Sequence, residues 1–173
     1  LIDAFTPPAL HLGLGEIFLL GDRNAPSTRG RNVAVVYAYV VNAYREFLVY
    51  NQRIGMLIFG DRLIDGEAHN FGPWESSVNG TAEAIDLIPR DVIVSPWHYQ
   101  ARMEYPSIPE FLSRGFPVLP MCWNNIRATN HLIDYCLSLE HNKLLGFIFS
   151  TWNVPADEIA PNAPLVRGLS VLD

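Results

Sequence analysis

The sequence lacks the features that would indicate a nucleic-acid-binding or a membrane protein. Its 12 lysine and arginine residues do not cluster, and 18 acidic residues bring the formal net charge to −6. A basic surface for nucleic acid or anionic lipid is therefore not expected. The apolar runs are far shorter than the roughly 20 residues of a membrane span, and no signal-peptide pattern opens the chain. We predict neither a nucleic-acid nor a membrane partner, and the compartment stays open.

Motifs for metal ions and nucleotide cofactors are also missing. The sequence has no HxH or HExxH spacing, although His11, Glu16, Asp61 and His98 are residue types that bind metals. The segment GLGEIF (13–18) lacks the third glycine of a dinucleotide-binding loop. We therefore predict no metal and no cofactor, and keep a metal-assisted hydrolase that uses His11, His98 and Asp61 as a third hypothesis.

Cysteine is scarce, with two residues in 173. Cys122 and Cys136 fall in different predicted elements and do not have the spacing of a metal site. Because cysteine is among the residue types most often found buried, we predict two buried free thiols rather than a disulfide.

The chain does contain an alternation of short apolar runs and helical patterns. Such continuous apolar runs are typical of parallel strands that are covered on both faces. The runs are ALHLG (9–13), GMLIF (55–59), DVIVS (91–95), FPVLP (116–120) and LLGFIF (144–149). They predict a single α/β domain over residues 1–173, with about five parallel strands and intervening helices.

Helical patterns lie between the apolar runs, where apolar residues recur at steps of three and four. We predict these helices within 31–52, 79–91, 107–115 and 124–143. In the third, Ser107 and Glu110 have the spacing of a capping box, and Gly115 is suited to end the helix.

Polar and aromatic side chains follow the predicted strands, where parallel α/β folds place their functional sites. These residues are Glu16 after the first run, Asp61 after the second, Trp97, His98 and Tyr99 after the third, Trp123 and Asn124 after the fourth, and Trp152 after the fifth. Aromatic rings combined with carboxylates and amides suit a sugar, whose apolar face stacks on indole while the polar groups bind its hydroxyls. Glycosidic cleavage also needs a carboxylic acid, and Glu16 is the candidate if apolar neighbours raise its pKa.

Five segments of the sequence resemble those of a known family in their order and spacing along the chain. They are LHLGLGEIF, MLIFGDRLID, DVIVSPWHYQ, YPSIPEFLSRGFPVLPMCWNN and LGFIFSTWN, which together extend over about residues 9–153. This series is similar to the family 20 glycoside hydrolases, the β-N-acetylhexosaminidase-like (β/α)8 barrels. The family's His-x-Gly-x-Asp-Glu motif, at the end of its fourth strand, aligns with His11, Gly13, Gly15 and Glu16.

The resemblance implies roles for individual residues. Glu16 would be the general acid/base, His11 a supporting or sugar-contacting residue, and Trp97 and Trp152 the foremost pocket residues. In this family the substrate's 2-acetamido oxygen attacks the anomeric carbon, and the aspartate before the glutamate orients that group. Because Gly15 stands at the aspartate position, we expect hydrolysis to be impaired.

The resemblance also implies an incomplete barrel. A complete (β/α)8 barrel has eight strands and about 250 residues, whereas the five predicted strands correspond to strands four to eight. We therefore predict a partial TIM barrel, the C-terminal portion of a glycosidase-like barrel, which is either a truncated product or completed by dimerisation. Exposed sheet edges favour self-association into a homo-oligomer.

Together these features predict a glycoside hydrolase-like protein that acts on N-acetylhexosaminides by substrate-assisted acid/base hydrolysis. The alternative is a non-catalytic carbohydrate-binding or vestigial module, which Gly15 favours. Structural roles for single residues also stay open. His11 could be a histidine of the core, and Asp61 could form a structural Asp–Arg pair that ties two loops together. Trp123 and Trp152 could fill the top of a core.

Overall fold

The predicted α/β class is confirmed by a computed structural model, which describes residues 2–153 and residue 155. The chain divides into two compact units, Leu1–Val94 and Ser95–Asp173. The described strands form a parallel sheet of three strands and a second parallel sheet of two.

The first three predicted strands are present and lie in the order β1-β2-β3. They are β1 (Ala9–His11), β2 (Gly55–Phe59) and β3 (Ile93–Ser95). Ala9 pairs with Gly55 in parallel register, and Met56 and Ile58 of β2 are fully buried. The continuous apolar character of these runs therefore reflects a sheet inside the core of the first unit.

The helix predicted within 31–52 is present as α2 (Val33–Arg45), which continues into a π-helical segment, Glu46–Asn51. Asn32 caps its start, because the Asn32 side chain accepts a hydrogen bond from the Val35 amide at 3.0 Å. Near its end, Arg45 Nε donates to the carboxylate of Asp91 at 2.6 Å. The first contact stabilises the start of α2, and the second ties its end to the residues just before β3.

The remaining helices of the first unit are short. They are α1 (Ile2–Phe5), α3 (Gly66–His69) and the 3₁₀ turns Asp61–Leu63 and Thr81–Asp86. The segment predicted as a short helix within 79–91 is thus a 3₁₀ turn, and it packs against α2. None of the helices described in either unit is long and apolar enough to cross a membrane.

In the second unit, the fifth predicted strand is shorter than expected, and the described fourth strand lies after the predicted run. The described elements are α4 (Ser107–Ser113), β4 (Met121–Cys122), α5 (Ile126–Ser138) and β5 (Ile148–Phe149). The strand predicted at 116–120 is wrong, because only Val118 pairs there, in an isolated bridge to Leu144. Pro117 and Pro120 lack the N–H donors of a strand, so the regular pairing begins at Met121.

The predicted capping box at Ser107 and Glu110 is wrong. The preceding residue, Pro106, occupies the N-cap with φ −60°, and Ser107 is already helical. The Ser107 hydroxyl instead lies 2.8 Å from Nε2 of the buried His98. Gly115 ends the helix as expected, with φ +87°.

The prediction of two buried free thiols is confirmed. Cys122 in β4 and Cys136 in α5 are buried and not bonded to one another. Burial raises the pKa of each thiol to about 12, so both are protonated at neutral pH.

Candidate functional site

The loop after β1, residues 12–16, is the segment that carries Glu16, and we call it the Glu16 loop. Its backbone is left-handed at Gly13, Leu14 and Glu16, with φ of +74°, +60° and +54°. A left-handed residue other than glycine costs about 1–2 kcal/mol, so two such residues require compensating contacts. The Glu16 side chain is exposed.

Two buried side chains hold the Glu16 loop through its main chain. The Glu16 amide donates to Oδ2 of Asp61 at 2.7 Å. The Tyr37 hydroxyl donates to the carbonyl of Leu14 at 3.0 Å. Asp61 is 0% exposed, so its carboxylate contacts the protein and not solvent.

Asp61 forms a buried ion pair with its neighbour Arg62. Arg62 Nε donates to the same Oδ2 at 2.7 Å, and both side chains are fully buried. Arg62 Nη2 also donates to the carbonyls of Pro73 at 2.8 Å, Trp74 at 3.3 Å and Ser76 at 2.7 Å. The pair therefore ties the Glu16 loop and segment 73–76 to the end of β2, which is the structural role left open for the GDRLID segment.

Burial has the larger effect on the protonation of Asp61. It raises the pKa of the Asp61 carboxyl above the ordinary value, although the Glu16 amide and Arg62 act in the opposite direction. Its second oxygen, Oδ1, is buried and has no hydrogen-bond partner.

The structure leaves no room for a side chain at Gly15. A Cβ atom there would lie 2.6 Å from Asp61 Oδ1 and 2.9 Å from Cδ2 of Phe59. Gly15 is not among the glycines with a left-handed backbone. A glycine is required here because neighbouring atoms leave no space for a Cβ, and not because of its φ angle. The carboxylate that borders this position thus comes from Asp61, in the 3₁₀ turn that follows β2.

His11, the last residue of β1, is half-buried beside the Glu16 loop. Its Nδ1 accepts a hydrogen bond from the Gly13 amide at 3.0 Å, and its ring packs on Phe59 with a centroid distance of 4.5 Å. Burial lowers the pKa of His11 below 6.5. The imidazole is therefore neutral at pH 7, with its proton on Nε2.

In the second unit, four of the predicted sugar-contacting side chains form one group, which we call the aromatic cluster: Trp97, Tyr99, Trp123 and Trp152. Tyr99 is at its centre, 5.0 Å from Trp97 and 5.3 Å from Trp123 between ring centroids. Trp152 Nε1 donates to the Tyr99 hydroxyl at 2.9 Å, and Trp123 Nε1 donates to the Trp152 carbonyl at 3.4 Å. Because the indole N–H groups of Trp123 and Trp152 are bonded within the cluster, these two side chains offer their ring faces to a ligand.

Exposure differs across the aromatic cluster. Trp97 is 8% exposed and Trp152 is 47% exposed, while Tyr99 and Trp123 are half-buried. Such a graded surface suits the apolar face of a ligand that lies against Trp152 and Trp123, with Trp97 as their support.

The other two predicted contact residues of the second unit, His98 and Asn124, differ in their exposure to solvent. His98 is buried, with Ser107 at hydrogen-bond distance and the Tyr105 ring 5.2 Å away. Asn124 is exposed, and the next residue, Asn125, caps α5 by accepting from the Ala128 amide at 3.2 Å. Of these two side chains, Asn124 is the one that is accessible to a ligand.

The contact of Tyr37 with the Glu16 loop is not predicted by the sequence. Tyr37 lies on the apolar stripe of α2, so no local pattern reveals the hydrogen bond of its hydroxyl to Leu14, 23 residues earlier. Burial raises the pKa of Tyr37, and the nearby Asp61 carboxylate adds to this effect, so its hydroxyl stays a donor.

No metal centre is found among the described residues. In that part of the chain, His, Cys, Asp and Glu side chains do not form a group of three or more that could hold a metal ion. His11 and Asp61 of the third hypothesis are instead bonded to the main chain around them.

Comparison with known proteins does not place this chain in a family. No protein-family model matches it, and no curated protein matches it significantly. Membership of the family 20 glycoside hydrolases therefore stays a prediction from the sequence motifs.

The close approach at Gly15 predicts a loss of stability in Gly15→Ala. The added Cβ meets Asp61 Oδ1 and Phe59, so we expect the free energy of unfolding to fall by about 1–3 kcal/mol. Gly15→Asp should cost more, since it also places a second carboxylate beside Asp61. Urea denaturation measures both. Gly72→Ala is the matched control, because no atom lies within 4 Å of its added Cβ. A Gly15→Ala protein as stable as the wild type would contradict this geometry.

The environment of His11 predicts a pH dependence. Because its folded pKa lies below 6.5, the unfolded chain binds more protons just below pH 6.5, and the free energy of unfolding falls as the pH drops through that range. His11→Gln should reduce this acid loss, measured as urea midpoints between pH 7.5 and pH 5. The other histidines are common to both proteins and serve as the internal control. An identical pH slope in both proteins would exclude His11 as a source.

Proposed function

We propose that the protein is a glycoside hydrolase-like protein that acts on N-acetylhexosaminides, with Glu16 as general acid/base. The aromatic cluster is the observation that carries this proposal. Trp97, Tyr99, Trp123 and Trp152 come from three separate segments that follow strands, and they pack into one partly exposed group of rings. A group of this kind supports recognition of a sugar through its apolar face.

The fold we propose is the C-terminal part of a (β/α)8 barrel. Sequential parallel order in β1-β2-β3 and in β4-β5 supports it. Trp97, just after β3, also pairs in parallel with Met121 of β4. Neighbouring strands that follow one another along the chain are the arrangement a barrel requires.

The proposed reaction uses Glu16 at the carboxyl end of β1, where its side chain is exposed. Protonated Glu16 donates its proton to the glycosidic oxygen as the bond from that oxygen to the anomeric carbon breaks. The acetamido oxygen of the substrate forms the new bond to this carbon, which gives an oxazolinium ion. Water then forms a bond to the anomeric carbon as the bond from this carbon to the acetamido oxygen breaks, which restores the acetamido group. The water gives one of its protons to the Glu16 carboxylate, which restores the acid, and keeps the other in the hydroxyl of the product.

Turnover is expected to be slow, because no carboxylate contacts the acetamido group from position 15. Asp61 borders that position but is 0% exposed, so it does not take over the role. Loss of one charge partner in a transition state costs about 10²–10³ in rate, by analogy with removal of an oxyanion-hole donor.

A second candidate function is sugar binding without turnover. The close packing of Gly15 against Asp61 favours it, because this packing excludes a side chain at the position where the family has a working aspartate. Binding would then rest on the aromatic cluster alone.

Two variants test the proposal. Glu16→Gln should abolish hydrolysis of an aryl N-acetyl-β-hexosaminide and leave N-acetylglucosamine binding nearly unchanged. Trp152→Ala should weaken that binding about tenfold, since it removes the most exposed ring of the cluster. Product release measures hydrolysis, and calorimetric titration measures binding.

Glu46→Gln is the control for the first variant, because Glu46 is an exposed glutamate outside the Glu16 loop. Hydrolysis that persists in Glu16→Gln would remove Glu16 from its proposed role. Binding without any hydrolysis in the wild type would select the second candidate. The absence of both would exclude the two functions.

A further inference from the structure

An exposed aromatic pair lies on the first unit, outside the aromatic cluster. Phe18 and Trp74 pack edge to face, with ring centroids 4.9 Å apart and an interplanar angle of 81°. Trp74 is 60% exposed and Phe18 is 37% exposed. Trp74 is also the one tryptophan that does not directly follow a predicted strand, so the proposed function leaves it without a role.

The buried Arg62 holds both members of this pair. Its guanidinium carbon lies 4.9 Å from the centroid of the Phe18 ring. Its Nη2 donates to the carbonyl of Trp74 at 3.3 Å and to that of Pro73 at 2.8 Å. The Phe18 ring and the main chain of Trp74 are therefore held in place, and the Trp74 ring packs on Phe18. Such ordering before a ligand arrives lowers the entropic cost of binding.

The same ion pair links the aromatic pair to Glu16. The Phe18 amide donates to the Glu16 carbonyl at 3.0 Å. The Glu16 amide donates to Asp61, and Asp61 pairs with Arg62. The main chain of the candidate acid and the Phe18 ring thus contact the same buried ion pair within the first unit.

We propose that the Phe18–Trp74 pair binds a second sugar residue, on the leaving-group side of the bond that Glu16 protonates. This inference rests on the proposed function. A general acid acts at the oxygen that joins two sugars, and the main chain of Phe18 is bonded to that of Glu16, so the Phe18–Trp74 pair is suited to contact one of the two sugars. The exposed indole of Trp74 offers its face to the apolar face of that ring, as aromatic side chains do for ligands with one apolar side.

The experiment compares N-acetylglucosamine with its β-1,4-linked dimer by calorimetric titration. All proteins carry Glu16→Gln, so that the dimer is not hydrolysed. The dimer is expected to bind about five- to tenfold more tightly than the monomer. Adding Trp74→Ala should abolish this advantage and leave the affinity for the monomer unchanged. Trp74→Phe retains an aromatic face and should keep most of the advantage.

Tyr39→Ala is the matched control, because Tyr39 is an aromatic side chain of the same unit and is 74% exposed. It should change neither affinity. A dimer advantage that persists in Trp74→Ala, or a dimer that binds no more tightly than the monomer, would overturn the second-sugar site alone. If neither sugar binds, the proposed function and this site fail together.

Discussion

The buried ion pair between Asp61 and Arg62 is the interaction on which the rest of the first unit depends. One carboxylate oxygen accepts hydrogen bonds from the Glu16 amide and from Arg62 Nε, both at 2.7 Å. Two buried charges are costly to desolvate, and Arg62 offsets part of that cost by donating to main-chain carbonyls in segment 73–76. Breaking the pair would therefore release the Glu16 loop and segment 73–76 together.

This constraint also explains why position 15 departs from the motif of the family 20 glycoside hydrolases. The Asp61 carboxylate occupies the space beside position 15, so a side chain there would collide with it. Gly15 is thus a packing requirement of the loop, and an acetamido-orienting aspartate is incompatible with it. Glu16 keeps an exposed side chain while its main chain is held. In the motif that we propose, the position aligned with the family's aspartate serves the packing of the loop.

The sequence predicted those parts of the molecule that depend on local pattern. Continuous apolar runs located β1, β2 and β3, and the three- and four-residue steps located α2 and α5. The apolar run at 116–120 predicts a strand, but Pro117 and Pro120 interrupt strand pairing there. The spacing of Ser107 and Glu110 predicts a capping box, but the Ser107 hydroxyl lies 2.8 Å from Nε2 of His98, a partner that only the tertiary fold supplies. Burial of Asp61 and the contact of Tyr37 with Leu14 likewise arise from long-range packing.

The claim that Asp61 and Arg62 hold the Glu16 loop is tested most directly by residue-resolved amide hydrogen exchange at Glu16 in the wild-type protein. The Glu16 side chain is exposed, but its amide is bonded to the buried Asp61 carboxylate. Exchange should therefore require opening of the ion pair and be as slow as at Phe59, whose amide bonds to Gly13 at 2.8 Å. A Glu16 amide that exchanges at the rate of an unstructured peptide would contradict the claim that Asp61 and Arg62 hold this loop.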